Sequence, residues 1–151
     1  MTFEALLAYA HIMAFLMLAT FLTSETALCR PDWINPAVVR RLGWVNLLSL
    51  VSGGLVLASG LARIAWGVKG SAWYWAQPLL HAKITLWAVM LVLSFLAGRR
   101  YRAWRRALDA GGALPDAQAL KGTRRLVMWT AHLMVLVPLL AVFLARGVGT
   151  R

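Results

Sequence analysis

Three histidines, His11, His81 and His132, stand inside long apolar runs of the chain, and Lys83 follows the second of them by two residues. An ionisable side chain is costly in hydrocarbon, so each marks a candidate site. A neutral imidazole there either hydrogen-bonds a neighbouring helix or ligates a metal or cofactor. Counting ~1.5 Å of rise per residue from the outer ends near Phe3, Pro78 and Arg146, His11 lies ~12 Å deep, His81 ~4.5 Å and His132 ~21 Å. His11 and His81 then come within reach of one cofactor once helix tilt is included. His11 with His132 is a second pairing, whereas His81 and His132 lie at depths too different to share one.

Imidazoles on facing helices are the usual axial ligands of a haem held in a bundle. Haem b, ligated by His11 and His81, is the cofactor these residues point to. Ala8, Ala10 and Ala14 leave room for a flat ring beside His11, and Arg63 and Lys69 suit charge-assisted pairing with propionates. Among metal ligands in general the candidates are His11, His81 and His132. Copper or zinc fits less well, because no His-x-x-x-His spacing, second thiol or carboxylate cluster completes a coordination shell.

Lys83 and His81, two residues apart, project on nearly opposite faces of a helix. Only one of them can face a bundle interior, and the sequence leaves the choice open. Lys83 and Arg63 are the candidate substrate-facing cations, with a catalytic role if the protein is an enzyme. Glu4 and Glu25 bracket the first apolar run and read as solvated helix ends, with a proton acceptor near a redox site as the alternative. No nucleophile and base pair, phosphate loop or zinc-protease motif is present, which argues against hydrolytic and nucleotide-driven activities.

The elements that must position these residues are membrane helices. Of the 151 residues 61% are hydrophobic, and the mean hydropathy is +0.69. Apolar blocks recur between short charged stretches, which predicts an all-α integral membrane protein, a four-helix bundle forming one domain over 1–151. The expected spans are 3–23, 42–63, 79–97 and 126–145. The net charge of +11 is dispersed between the blocks, so it marks helix flanks rather than a nucleic-acid groove. The single cysteine, Cys29, excludes an internal disulfide and reads as an incidental thiol at a helix end.

Asn35-Pro36 predicts a helix start, with Asn35 as cap and the proline in the first turn. Along that second helix Ser49, Ser52, Gly53, Val56, Gly60 and Arg63 share one face. Such a face serves close helix packing, with a groove for a flat ligand as the alternative. Trp66, Trp73, Tyr74 and Trp75 mark the next connection as an interfacial aromatic belt. The third span runs into an arginine-rich extension that stops at Gly111-Gly112, and Pro138 should kink the last span.

Eleven basic residues lie on the connections after the first and third spans: Arg30, Arg40, Arg41, Arg99, Arg100, Arg102, Arg105, Arg106, Lys121, Arg124 and Arg125. The opposite side holds four, Arg63, Lys69, Arg146 and Arg151. Basic loops stay inside, so both termini are expected on the outer, periplasmic side of a bacterial inner membrane, in a multi-pass protein. The expected partners are the lipid bilayer, a quinone or porphyrin, and a second copy of the chain, with no nucleic acid.

Several short motifs occur in an order that resembles a known family. They are Ala10-His11-Ile12 followed by Glu25, Gly60-Leu61-Ala62-Arg63, Lys69-Gly70 with Tyr74, Lys83, Val137-Pro138-Leu139-Leu140-Ala141, and Ala145-Arg146-Gly147. Over nearly its whole length the chain resembles the small bacterial membrane proteins catalogued as domain of unknown function 2214. That family looks similar in turn to membrane-embedded protoporphyrinogen oxidases and copper-resistance membrane proteins, through His11-Ile12, Arg40-Arg41-Leu42 and Leu80-His81-Ala82-Lys83. The resemblance implies a b-type haem protein with an oxidoreductase or electron-transfer role and quinone as acceptor. His11, His81 and Lys83 would stand where the oxidases carry their histidines and lysine. The oxidases' Asn-Glu-x-Pro pattern is missing, since the corresponding region reads Trp129-Thr130-Ala131-His132-Leu133. The alternative is a cofactor-free bundle, either a copper-like transporter or an accessory subunit of a membrane complex.

Overall fold

Four long apolar stretches, each bounded by a capping residue, a proline or a glycine, build the fold. The structure, a computed structural model, describes residues 2–148, so Arg151, counted in the charge balance above, lies outside the described residues. Helix α1 spans Thr2–Leu28 and a single 3-10 turn, Pro31–Trp33, leads to α2, Pro36–Trp66. A short helix α3, Ser71–Trp75, precedes α4, Pro78–Asp109, and α5 spans Ala117–Ala145. Helices α1, α2, α4 and α5 are each long and apolar enough to cross a membrane. The all-α four-span reading is therefore correct.

The helix starts follow from local chemistry. Asn35 caps α2 by accepting from the Val38 amide at 2.9 Å, with Pro36 in the first turn, as the sequence predicts. Asp116 does the same for α5, accepting from the Ala119 amide at 2.7 Å. Helix α4 ends where Gly111 adopts a φ of 77°, a left-handed conformation that glycine tolerates best.

The helices outrun the expected spans at the arginine-rich end. Helix α1 continues through Ser24 and Glu25, because Thr20, Thr23 and Ser24 turn their hydroxyls back onto the carbonyls of Leu16, Ala19 and Thr20. These polar residues satisfy themselves within the helix and do not break it. Helix α4 continues past Ala97 to Asp109, the helical arginine-rich extension expected from the sequence, and there Arg40 and Arg105 pair with the Asp109 carboxylate. Helix α5 runs unbroken through Pro138.

Each long helix packs on its neighbour in sequence, α1 on α2, α2 on α4 and α4 on α5, and α1 closes the ring on α5. In lipid this packing rests on close fit and side-chain hydrogen bonds more than on expulsion of water. Small residues provide the fit. Ser49, Ser52, Gly53 and Val56 are buried on the α2 face singled out by the sequence, so most of that face is a packing surface. Trp87 on α4 donates to the Gly53 carbonyl at 3.1 Å, and Arg124 on α5 donates to the Cys29 carbonyl at 3.0 Å. Leu6, Ile12, Leu16, Leu55 and Val135 face outward, as lipid contact requires.

Candidate functional site

One turn of α1 carries the side chain around which a cleft is built. His11 belongs to a stripe of α1 that continues through the buried Ala14, Leu18, Leu22 and Glu25, at steps of three or four residues. That periodicity turns His11 towards α2. There its Nδ1 lies 2.8 Å from Ser59 Oγ. The Ser59 hydroxyl hydrogen is committed within α2, to the Leu55 carbonyl at 2.6 Å. With the hydroxyl so directed it accepts from His11 Nδ1–H, and in that tautomer Nε2 carries the ring's lone pair. Gly60 permits the approach, for a Cβ there would stand 3.3 Å from His11 Cε1.

The cleft encloses about 410 Å³ at the end of the bundle that carries the termini, and all four long helices line it. This lies within the ordinary range for small-molecule sites. Its walls are mainly apolar, with Trp73, Trp87, Leu80 and Leu144 among them, while its charged lining is Glu4, Arg63, Lys69 and Lys83. Three cations thus face one carboxylate. None of them forms an ion pair among the described residues, where ion pairs join only Asp109 to Arg40 and Arg105. Arg63 sits one turn beyond Ser59 on α2, close enough for its charge to act on Lys83. Lys69 Nζ rests over the Trp73 ring, 4.0 Å from its centre, which holds the connection against the cleft.

The choice between His81 and Lys83 is decided by the face of α4 that meets the bundle. Lys83 is half-buried and lines the cleft, whereas His81, on the opposite face, is exposed. His81 Nε2 donates to the Trp75 carbonyl at 2.9 Å and its ring tilts against Trp75. This corrects the expected axial pair of His11 and His81. Rotation about α4 separates the two imidazoles. His132 is also exposed, donating from Nδ1 to the Met128 carbonyl at 2.6 Å beside Trp129. The described residues contain no cluster of three or more His, Cys, Asp and Glu suited to a metal, so the three histidines do not form a joint metal site. Of the expected site residues, the structure brings together His11, Arg63, Lys69 and Lys83.

Sequence reasoning missed Ser59, although it lies one residue before Gly60 on the highlighted face. It also misread Glu25, which is only 1% exposed. The signal for both was present, since Glu25 is 14 residues, close to four helical turns, from His11 on the same stripe.

Comparison with known proteins gives a family and nothing finer. No curated protein and no solved structure matches the chain. A family model described as a predicted membrane protein, DUF2214, matches residues 3–149. The chain belongs to this family of predicted membrane proteins.

Proposed function

We propose that the cleft binds a flat, largely apolar molecule carrying anionic groups, with b-type haem as the occupant that best suits its residues. The observation that carries this reading is His11, held by Ser59, in an apolar cleft lined by the cations Arg63, Lys69 and Lys83. His11 would be the axial ligand, oriented by Ser59, and Arg63, Lys69 and Lys83 would hold propionates through charge-assisted bonds. Gly60 and the aromatic walls leave a slot for a planar ring. As the one histidine among the described residues that line the cleft, His11 would be the residue that holds the iron. Bound haem would supply one-electron exchange, and a quinone entering from the bilayer would be the acceptor in an oxidoreductase or electron-transfer role. The arginine-rich end, with eleven basic residues against four, supports insertion in a bacterial inner membrane with the termini and cleft on the periplasmic side.

An absorption spectrum of the protein in mild detergent, before and after haem supplementation, tests the reading. A Soret band is expected, lost in His11→Ala and retained in His81→Ala and His132→Ala. No band in the supplemented protein overturns haem binding. The second reading, a cofactor-free transporter or accessory subunit, draws on the same cationic rim, which suits an amphipathic anion without any metal. Quenching of Trp73 and Trp87 fluorescence by an anionic amphiphile, with no Soret band, would favour it.

A further inference from the structure

The bundle buries a second polar centre at its arginine-rich end, unused by the cleft. The Glu25 carboxylate receives the Asn46 side-chain amide at 3.2 Å on Oε1 and 3.5 Å on Oε2. The same Asn46 amide donates to the Ser94 carbonyl at 3.1 Å. A carbonyl only accepts, so this contact fixes which way the Asn46 side chain points. The hydroxyls of Ser49 and Tyr101 face the carboxylate without closing a direct hydrogen bond, and Tyr101 also lies against the Cys29 thiol. Both hydroxyl oxygens are buried and close no hydrogen bond.

Buried unpartnered hydroxyls are uncommon, and two beside one carboxylate call for an explanation. So does the charge. No Lys, Arg or His among the described residues forms an ion pair with Glu25. The neighbouring cation, Arg124 of α5, is spent on the carbonyls of Thr26 and Cys29. An uncompensated carboxylate in a protein interior costs several kcal/mol, so Glu25 requires a positive charge that the described side chains do not provide. One unit suffices, whereas a divalent ion would leave a net charge buried. Hydroxyls and carboxylates are also the donors that hard cations prefer.

We infer that Glu25, with the hydroxyls of Ser49 and Tyr101, forms a site for a small monovalent cation, a proton or a sodium ion. The site is separate from the cleft. Along α1 it lies ~21 Å from His11, and the buried Ala14, Leu18 and Val56, with Phe15 and Trp87 against them, fill the space between. The occupant therefore exchanges with the arginine-rich side of the bundle, beyond Cys29 and Arg124.

Two measurements on the full chain in lipid nanodiscs test this. Thermal unfolding is followed in sodium chloride and in choline chloride at equal ionic strength. Infrared spectra at neutral pH are compared between the wild type and Glu25→Gln. A sodium-dependent rise in the unfolding midpoint, abolished in Glu25→Gln and needing at least tenfold more sodium in Ser49→Ala, identifies a sodium ion. Indifference to sodium, with a protonated-carboxyl C=O stretch that disappears in Glu25→Gln, identifies a proton. If Glu25→Gln does not fold, Tyr101→Phe replaces it, and a weaker sodium response or a displaced carboxyl stretch is expected. Neither a sodium effect nor a protonated carboxyl assignable to Glu25 overturns the inference.

Discussion

Gly98 offers a sharp test of the Asn46 bridge. It lies on α4 directly beneath Asn46, and a Cβ added there would collide with Asn46 Oδ1, its amide carbon lying 3.2 Å away. In Gly98→Ala the Asn46 side chain must turn, losing its donation to Glu25 and to the Ser94 carbonyl. Leaving those buried acceptors unserved costs about 1–3 kcal/mol. Overpacking against α2 adds about 1–3 kcal/mol. Replacing a helical glycine with alanine returns only about 0.5–1 kcal/mol. The net expectation is a loss of about 1–5 kcal/mol, read as a lower unfolding midpoint in detergent. Asn46→Ala removes the colliding oxygen, so in that background Gly98→Ala should become neutral or slightly stabilising. The coupling between the two sites is the difference between these effects, about 1–6 kcal/mol. A neutral Gly98→Ala in the wild type, or equal effects in both backgrounds, refutes the bridge.

Three other outcomes follow from the geometry. Ser59→Ala removes the acceptor that orients His11 and is expected to weaken haem retention about 10- to 100-fold, as loss of a ligand's outer partner does, while Ser59→Thr retains it; a haem titration measures both. Lys83→Ala and Arg63→Ala should each weaken binding of a dicarboxylate porphyrin about tenfold or more while leaving its dimethyl ester unaffected, since each removes one charge-assisted bond of about 1.5–3 kcal/mol. Cys29 is fully buried, and that burial pushes its thiol up from the usual range, so maleimide labelling should be slow in the folded protein and rapid only after denaturation.

Much of the architecture was legible in the chain because membrane helices announce themselves by length and composition. Asn35-Pro36 and Gly111 mark helix boundaries through local backbone chemistry, which needs no tertiary partner. The inward face of α2 was equally readable, because Ser49, Ser52, Gly53, Val56 and Gly60 recur at helical spacing. The helix ends near Glu25 were not, since a threonine or serine that bonds its own preceding turn looks in sequence like a break.

The site divides along the same line. Residue type and spacing by themselves determined that His11, Arg63, Lys69 and Lys83 belong to one end of the bundle, and that His81 and Lys83 must face apart. Periodicity fixes relative orientation within a helix but not the rotation of that helix against its neighbours. Only packing of α4 on α2, through Trp87 on Gly53 and Asn46 on Ser94, turned Lys83 inward and His81 towards Trp75. The same packing, with α1 laid against α2, converted Glu25 from an apparent solvated helix end into a buried carboxylate.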